Sequence, residues 1–363
     1  MGFYINEYET ELKQHLNLSN SSWRTITEDN MNFLENGVQM SFSGFLNKIF
    51  SNFYLTAKSS ISQQLIYYND KMKNNLYDKL IKRYNNNITT EILDVLSSFH
   101  EKELLDNISN YSKGYGKKFR INKKNLEILR ESQDSIYYSN NIGAYLKSIF
   151  EEYSSLPMYQ REAILYKENI DLINSAITSE YKLKITLDNK VAVDNQTKYS
   201  RKFYLSPYKL TYDDSRSYNY ITGVCEEILP DGTIIEKRIA SFRVSRLCKI
   251  TILHSMKSFI SNQTKNEIEK ALLMKTSPYL VGEIIDIKVA FSKKGLDNFS
   301  KHIYMRPKSY ELLKDNIYIF HCTEVQALNY FFKFGNEVNI LEPSYLREKF
   351  INRYKEALES YLK

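Results

Sequence analysis

The chain has 363 residues, 42% of them hydrophobic and 26% charged, with 30 tyrosines and 19 phenylalanines against 11 glycines and six prolines. That balance excludes a disordered or fibrous chain and predicts a folded protein of two to four domains. A formal net charge of +7 leans toward an anionic partner, although dispersed charge also serves solubility.

The three cysteines, Cys225, Cys248 and Cys322, are isolated, and the five histidines are scattered. Neither a disulfide framework nor a zinc site is expected, and no other metal or cofactor. The opening stretch "MGFYINEYETELKQ" lacks an apolar signal segment. No apolar run reaches the ~18 residues of a membrane helix. Asn6 stands where a myristoylation signal has Ser or Thr. A cytoplasmic protein with no membrane partner is expected.

In the N-terminal half, "SFSGFLNKIFSNF" places Phe42, Phe45, Leu46, Ile49, Phe50 and Phe53 on one helix face, with Ser41 as N-cap. "NIGAYLKSIFEEY" repeats the spacing with Ile142, Tyr145, Leu146, Ile149, Phe150 and Tyr153, behind Ser139 and Asn140. A shorter helix precedes each, "NMNFL" ending at Leu34 and "NLEIL" ending at Leu129. An extended stretch precedes each shorter helix, "WRTIT" from Trp23 and "KFRIN" from Lys118. Strand, short helix and longer helix thus recur at about 23–57 and 117–155. The order resembles a ribbon-helix-helix unit, whose two strands pair into a ribbon that enters the DNA major groove. Here residues 23–27 and 118–122 are expected to pair within one chain. Alternation points Phe119 and Ile121 inward and Lys118, Arg120 and Asn122 outward. The aligned positions Trp23, Thr25 and Thr27 carry no cation, so a half-basic ribbon is expected, better suited to RNA than to symmetric operators.

Residues 62–110 read as helices, and "NYSKGYGKKF" as a linker whose Lys113, Lys117 and Lys118 suit phosphates. A further helix follows Pro157. From Tyr181 the texture becomes β-rich. "KLKITL" alternates Leu183, Ile185 and Leu187 inward, and four more short strands follow, separated by turns such as "LPDGT". Five such strands in about eighty residues predict a small, bent barrel.

This region resembles the WYL domain, a Sm-like barrel of bacterial regulators. Pro207 and Tyr208 match its turn, Tyr220, Ile221 and Gly223 its centre, and Phe242, Arg243, Arg246 and Leu247 its Phe-Arg-x-x-Arg element. Asn219 stands at the family's tryptophan. The resemblance implies a basic groove for a nucleic-acid-like ligand, with Arg243 and Arg246 as contacts. Tyr204, Tyr208, Tyr218 and Tyr220 offer stacking surfaces. The opposing reading pairs Arg243 with Glu226 or Glu227. Regular alternation sets the two arginines on opposite faces, so a shared groove requires a turn after Val244.

The remainder reads strand–helix–strand–helix–strand and closes with Pro343 and a final helix. "FGNEVNILEPSYLREKF" resembles the extension that accompanies WYL domains, which implies a homodimer contact. The expected fold is therefore multidomain α+β. Residues 1–170 form a helical ribbon-helix-helix-like region, 171–260 a WYL Sm-like barrel, and 261–363 a ferredoxin-like α/β sandwich.

His100 and His321 lack catalytic partners in sequence, and no phosphate-binding loop or HExxH occurs, so no enzyme is expected. The whole arrangement is similar to accessory proteins of type VI-D CRISPR systems. That similarity implies single-stranded RNA binding and stimulation of the effector RNase. The alternatives are a transcriptional regulator that reads DNA through the ribbon and senses a nucleotide, or a scaffold with purely structural arginines.

Overall fold

The computed structural model of the chain describes residues 12–110, 114–131, 142–193, 197–212 and 217–362. It is a mixed α+β protein that divides into two compact units, Met1–Lys167 and Glu168–Lys363. The former holds one antiparallel sheet and the latter two, and none closes into a barrel.

In the first unit, β1 (Leu12–Asn17) pairs antiparallel with β2 (Gly116–Ile121), Leu12 opposite Ile121 and Asn17 opposite Gly116. From β1 the chain passes to α1 (Asn20–Asn32) and α2 (Phe42–Ile81). After α3 (Asn86–Asn110), β2 leads to α4 (Lys123–Glu131), α5 (Ile142–Ser155) and α6 (Met158–Leu165). Strand, helix and helix therefore do occur twice, and the two strands pair within the chain.

The first strand, however, is not "WRTIT". Residues 23–27 lie inside α1. The Thr-Ile-Thr run favours a strand by propensity, but tertiary packing overrides it. Ser19 caps the helix by accepting from the Ser22 amide at 3.2 Å. Trp23 and Ile26 then fall on one helical face and are fully buried. The second copy uses the same device, with Asn122 Oδ1 accepting from the Asn125 amide at 2.9 Å. Asn122 therefore faces α4 as its N-cap and is not a reader on the ribbon.

α2 begins where the spacing predicts, capped by Ser41. It runs unbroken for 40 residues, through the point where the sequence reading starts a separate helix. Its first turns bury Phe45, Leu46, Ile49 and Phe50 against Leu146, Ile149 and Phe150 of α5 and the rest of the core. Each such side chain contributes roughly 1.5–3 kcal/mol relative to exposure. Asn47 ties this helix to the second strand: its Nδ2 donates to the Arg120 carbonyl at 2.9 Å, and its Oδ1 accepts from the Asn122 amide at 3.0 Å. Beneath α1, Asp29 is bound by Arg161 at 2.6 Å and 3.0 Å and by the Tyr153 hydroxyl at 2.8 Å.

The boundary falls after the first residue of α7 (Lys167–Thr178), the rest of which opens the second unit. A sheet of β3 (Tyr181–Val193), β4 (Thr197–Tyr212), β5 (Asn219–Ile228), β6 (Arg238–Arg243) and β7 (Leu247–Lys257) follows. Its order is β6-β5-β4-β3-β7. The edge strands β6 and β7 are joined through a single 3-10 turn and are not hydrogen-bonded to each other. The expected closed barrel is thus an open sheet, bent by register shifts in β3 and β4. Leu183, Ile185, Phe203, Leu205, Ile221 and Phe242 are buried on its strands, and Val244 is buried in the turn after β6.

Beyond α8 (Asn262–Met274) come β8 (Ile284–Phe291), α9 (Lys293–Lys301), β9 (Ser309–Lys314), β10 (Ile317–Thr323), α10 (Glu324–Phe331), β11 (Val338–Glu342) and α11 (Ser344–Leu362). Their sheet order is β11-β8-β10-β9, a split β-α-β arrangement. The edge strand β9 is absent from the sequence reading because its residues are largely exposed and carry no clear alternation. Phe291, Phe299, Phe320, Tyr330, Phe331, Leu346 and Phe350 form the core between this sheet and its helices. His321 is half-buried, with Nδ1 2.6 Å from Asp286 Oδ1. Among the described residues, no helix is long and apolar enough to cross a membrane.

Candidate nucleic-acid interface

Arg243 ends β6 directly opposite Tyr220, one step beyond the pair formed by Phe242 and Ile221. Opposed side chains share a sheet face, so Phe242 and Ile221 go to the core and Arg243 and Tyr220 to the other side. The chain then turns. Val244–Arg246 form a 3-10 turn with Val244 fully buried, and β7 resumes at Leu247. Arg246 closes that turn, three residues from Arg243, and is exposed. The turn demanded by the sequence argument is present.

Arg243 is half-buried. Its Nε donates to Ser245 Oγ at 2.6 Å, and its Cζ lies 3.2 Å from the centre of the Tyr218 ring. Arg246 is exposed. The acids considered as partners for Arg243 are held by other cations. Lys182 binds Glu226 at 2.8 Å, while Arg201 and Arg238 bind Glu227 at 2.6 Å and 3.1 Å. The hydrogen bonds from Arg201, with its charge and that of Arg238, hold the Glu227 carboxyl below the usual range. A guanidinium stacked on an aromatic ring presents its N–H groups at the edge of the stack, the geometry that meets a phosphate or a base edge.

The four tyrosines are placed differently from one another. Tyr218 is the ring under Arg243. Tyr220 is only 6% exposed, so its ring packs rather than stacks on a ligand. Tyr208 hydrogen-bonds Glu269, which raises the phenol's pKa. Glu269 also accepts from Lys209 at 2.7 Å. Tyr204 stands opposite Lys184 and Glu226. Six residues along β5 from Tyr220, that is about 20 Å away along the strand. The structure therefore brings Arg243 against Tyr218 and opposite Tyr220, with Arg246 three residues further along the chain, and sets Tyr204 apart. Gly223 has a steric role: a Cβ there would lie 2.1 Å from the Ser206 carbonyl oxygen, so only glycine lets β4 and β5 approach at this point.

A second basic surface lies on the two-stranded ribbon. Leu16, Phe119 and Ile121 point inward and are buried, while Lys13, His15, Lys118 and Arg120 are exposed. Lys13 is opposite Arg120, and His15 is opposite Lys118. Both strands therefore carry basic side chains, which corrects the expectation of a half-basic ribbon. That expectation failed because it aligned "WRTIT" with β2, whereas the true partner is "LKQHLN". The sequence signal was present but faint: Leu12, Leu16 and Leu18 repeat at even spacing, interrupted by Gln14. Lys117, read as a phosphate contact, instead sets its Nζ 5.0 Å from Trp23, 4.6 Å from Phe42 and 5.2 Å from Tyr115. Lys113 lies outside the described residues.

No protein-family model and no curated protein matches the chain. Among solved structures, a CRISPR Cas-related protein aligns with 97% of this chain and 95% of its own, with a TM-score of 0.64 and 22% identity. At that identity the likeness establishes a shared fold from end to end. Proteasome accessory factor B/C (PafBC) of Arthrobacter aurescens aligns with 67% of this chain and 37% of its own, at 13% identity and a TM-score of 0.25.

Proposed function

We propose that this chain is a non-enzymatic, single-stranded RNA-binding accessory protein that raises the activity of a type VI-D CRISPR RNA-guided RNase. The observation that carries the reading is the stack of Arg243 on Tyr218 beside the exposed Arg246. Two cations and a ring at one turn suit a strand whose bases are unpaired, because phosphate and base face can be met together. The WYL-like placement of both arginines and the end-to-end fold likeness to a CRISPR Cas-related protein support the same reading.

The test is binding of labelled single-stranded RNA, single-stranded DNA and duplex DNA across a salt series. Arg243→Ala with Arg246→Ala is expected to weaken RNA binding at least tenfold. The salt slope should fall by about 1.4, the value for two single-strand phosphate contacts. RNA binding unchanged in that double variant would reject the site, and no RNA binding by the unaltered chain would reject the function.

A second reading follows from the ribbon. Basic side chains on both strands suit a ribbon-helix-helix docking on duplex DNA, as a transcriptional regulator uses it. Sequence-specific duplex binding abolished by Arg120→Ala, and unaffected by the Arg243 and Arg246 changes, would favour it.

A further inference from the structure

α3 has apolar residues on two sides. One side carries Leu93, buried beside the buried Thr89, and α3 packs against both α2 and α5. The other carries Ile88, Ile92, Val95 and Phe99 at i, i+4, i+7 and i+11, a single stripe along the helix. Ile88 is 42% exposed, Val95 63% and Phe99 69%. A lone exposed apolar residue is ordinary; a stripe of them over three turns marks a contact surface.

Charge narrows the occupant. α3 carries five acidic residues and one lysine, in a chain whose net charge is +7. Glu91 and Glu103 are exposed and flank the stripe on its two sides by helical angle. By helical angle Lys102 falls beside Glu91, yet the rim remains net negative, which disfavours nucleic acid and anionic lipid. A second copy docking α3 on α3 would set these acids against one another, which disfavours self-pairing.

We propose that this face of α3 docks a basic amphipathic helix of a partner protein, its apolar side on the Ile88–Phe99 stripe and its lysines or arginines on Glu91 and Glu103. Helix-on-helix recognition of this kind reads anchors at i, i+3, i+4 and i+7, with the rim charges selecting the partner. The proposal stands on α3 alone and is independent of the RNA reading.

The experiment uses the full chain and three fluorescent 18-residue probes: a leucine/lysine amphipathic helix, its leucine/glutamate counterpart, and an alanine/lysine helix of equal charge. Anisotropy should show binding of the leucine/lysine probe at least tenfold tighter than of either other. Val95→Glu with Phe99→Glu, both exposed positions, should weaken it at least tenfold. Glu91→Lys with Glu103→Lys should shift preference toward the leucine/glutamate probe. Circular dichroism of each variant, unchanged, shows that the fold is kept. Equal binding of all three probes, or binding that survives the Val95 and Phe99 changes, overturns the proposal. So does an unaltered chain that sediments as a dimer while the Val95 and Phe99 variant sediments as a monomer, since the occupant is then a second copy.

Discussion

Asp29 has a side chain only 1% exposed, and Arg161 grips it with two nitrogens while Tyr153 donates to the same carboxylate. Removing one member of such a set leaves a buried charge without compensation. Arg161→Ala is therefore expected to cost about 3–5 kcal/mol, read as a shift of the urea midpoint at constant slope. Asp29→Asn combined with Arg161→Met should cost less than either change alone, because no uncompensated charge remains. Glu227 gives the pH counterpart. Arg201 and Arg238 lower its folded pKa, so its contribution is complete above the ordinary glutamate value of about 4.3. It is lost as pH falls through the folded value. A melting series from pH 7 to pH 3 should show a shallower acid limb for Glu227→Gln than for the unaltered chain. Parallel limbs would remove the carboxylate from the account.

At the scale of elements, the ribbon is the part whose surface can be titrated. Lys13 and Lys118 sit on different strands and both face outward. If the face meets duplex DNA, Lys13→Ala and Lys118→Ala should each lower the salt slope by about 0.9. A reduction for Lys118 alone would restore the half-basic picture. The long helices were legible from their periodicity, because Phe45, Leu46, Ile49 and Phe50 repeat at helical spacing and are fully buried. The first strand was not, since Gln14 interrupts its apolar alternation while Thr25, Ile26 and Thr27 imitate a strand. The competing signal, a Ser19 cap ahead of Trp23 and Ile26, outweighed β propensity once those side chains had a core to enter. In the site, the turn after Val244 could be demanded from alternation alone. The ring that meets Arg243 could not, because proximity to Tyr218 depends on how the chain re-enters β5.

At the scale of the whole molecule, the two compact units have separate cores. One is built on Trp23, Phe45 and Phe150 and another on Phe291, Phe320 and Phe331. Thermal unfolding is expected in two transitions. Arg161→Ala should lower one of them and Phe291→Ala the other, each by roughly 6–20 °C, from ~3–5 kcal/mol at ~2–4 °C per kcal/mol. A single transition displaced by both changes would show that the units melt together.

A ribbon assembled from two chains exists only while the protein is abundant enough to pair. Here β1 and β2 belong to one polypeptide, so the ribbon is whole in a single molecule, however scarce, and no dilution dissolves it.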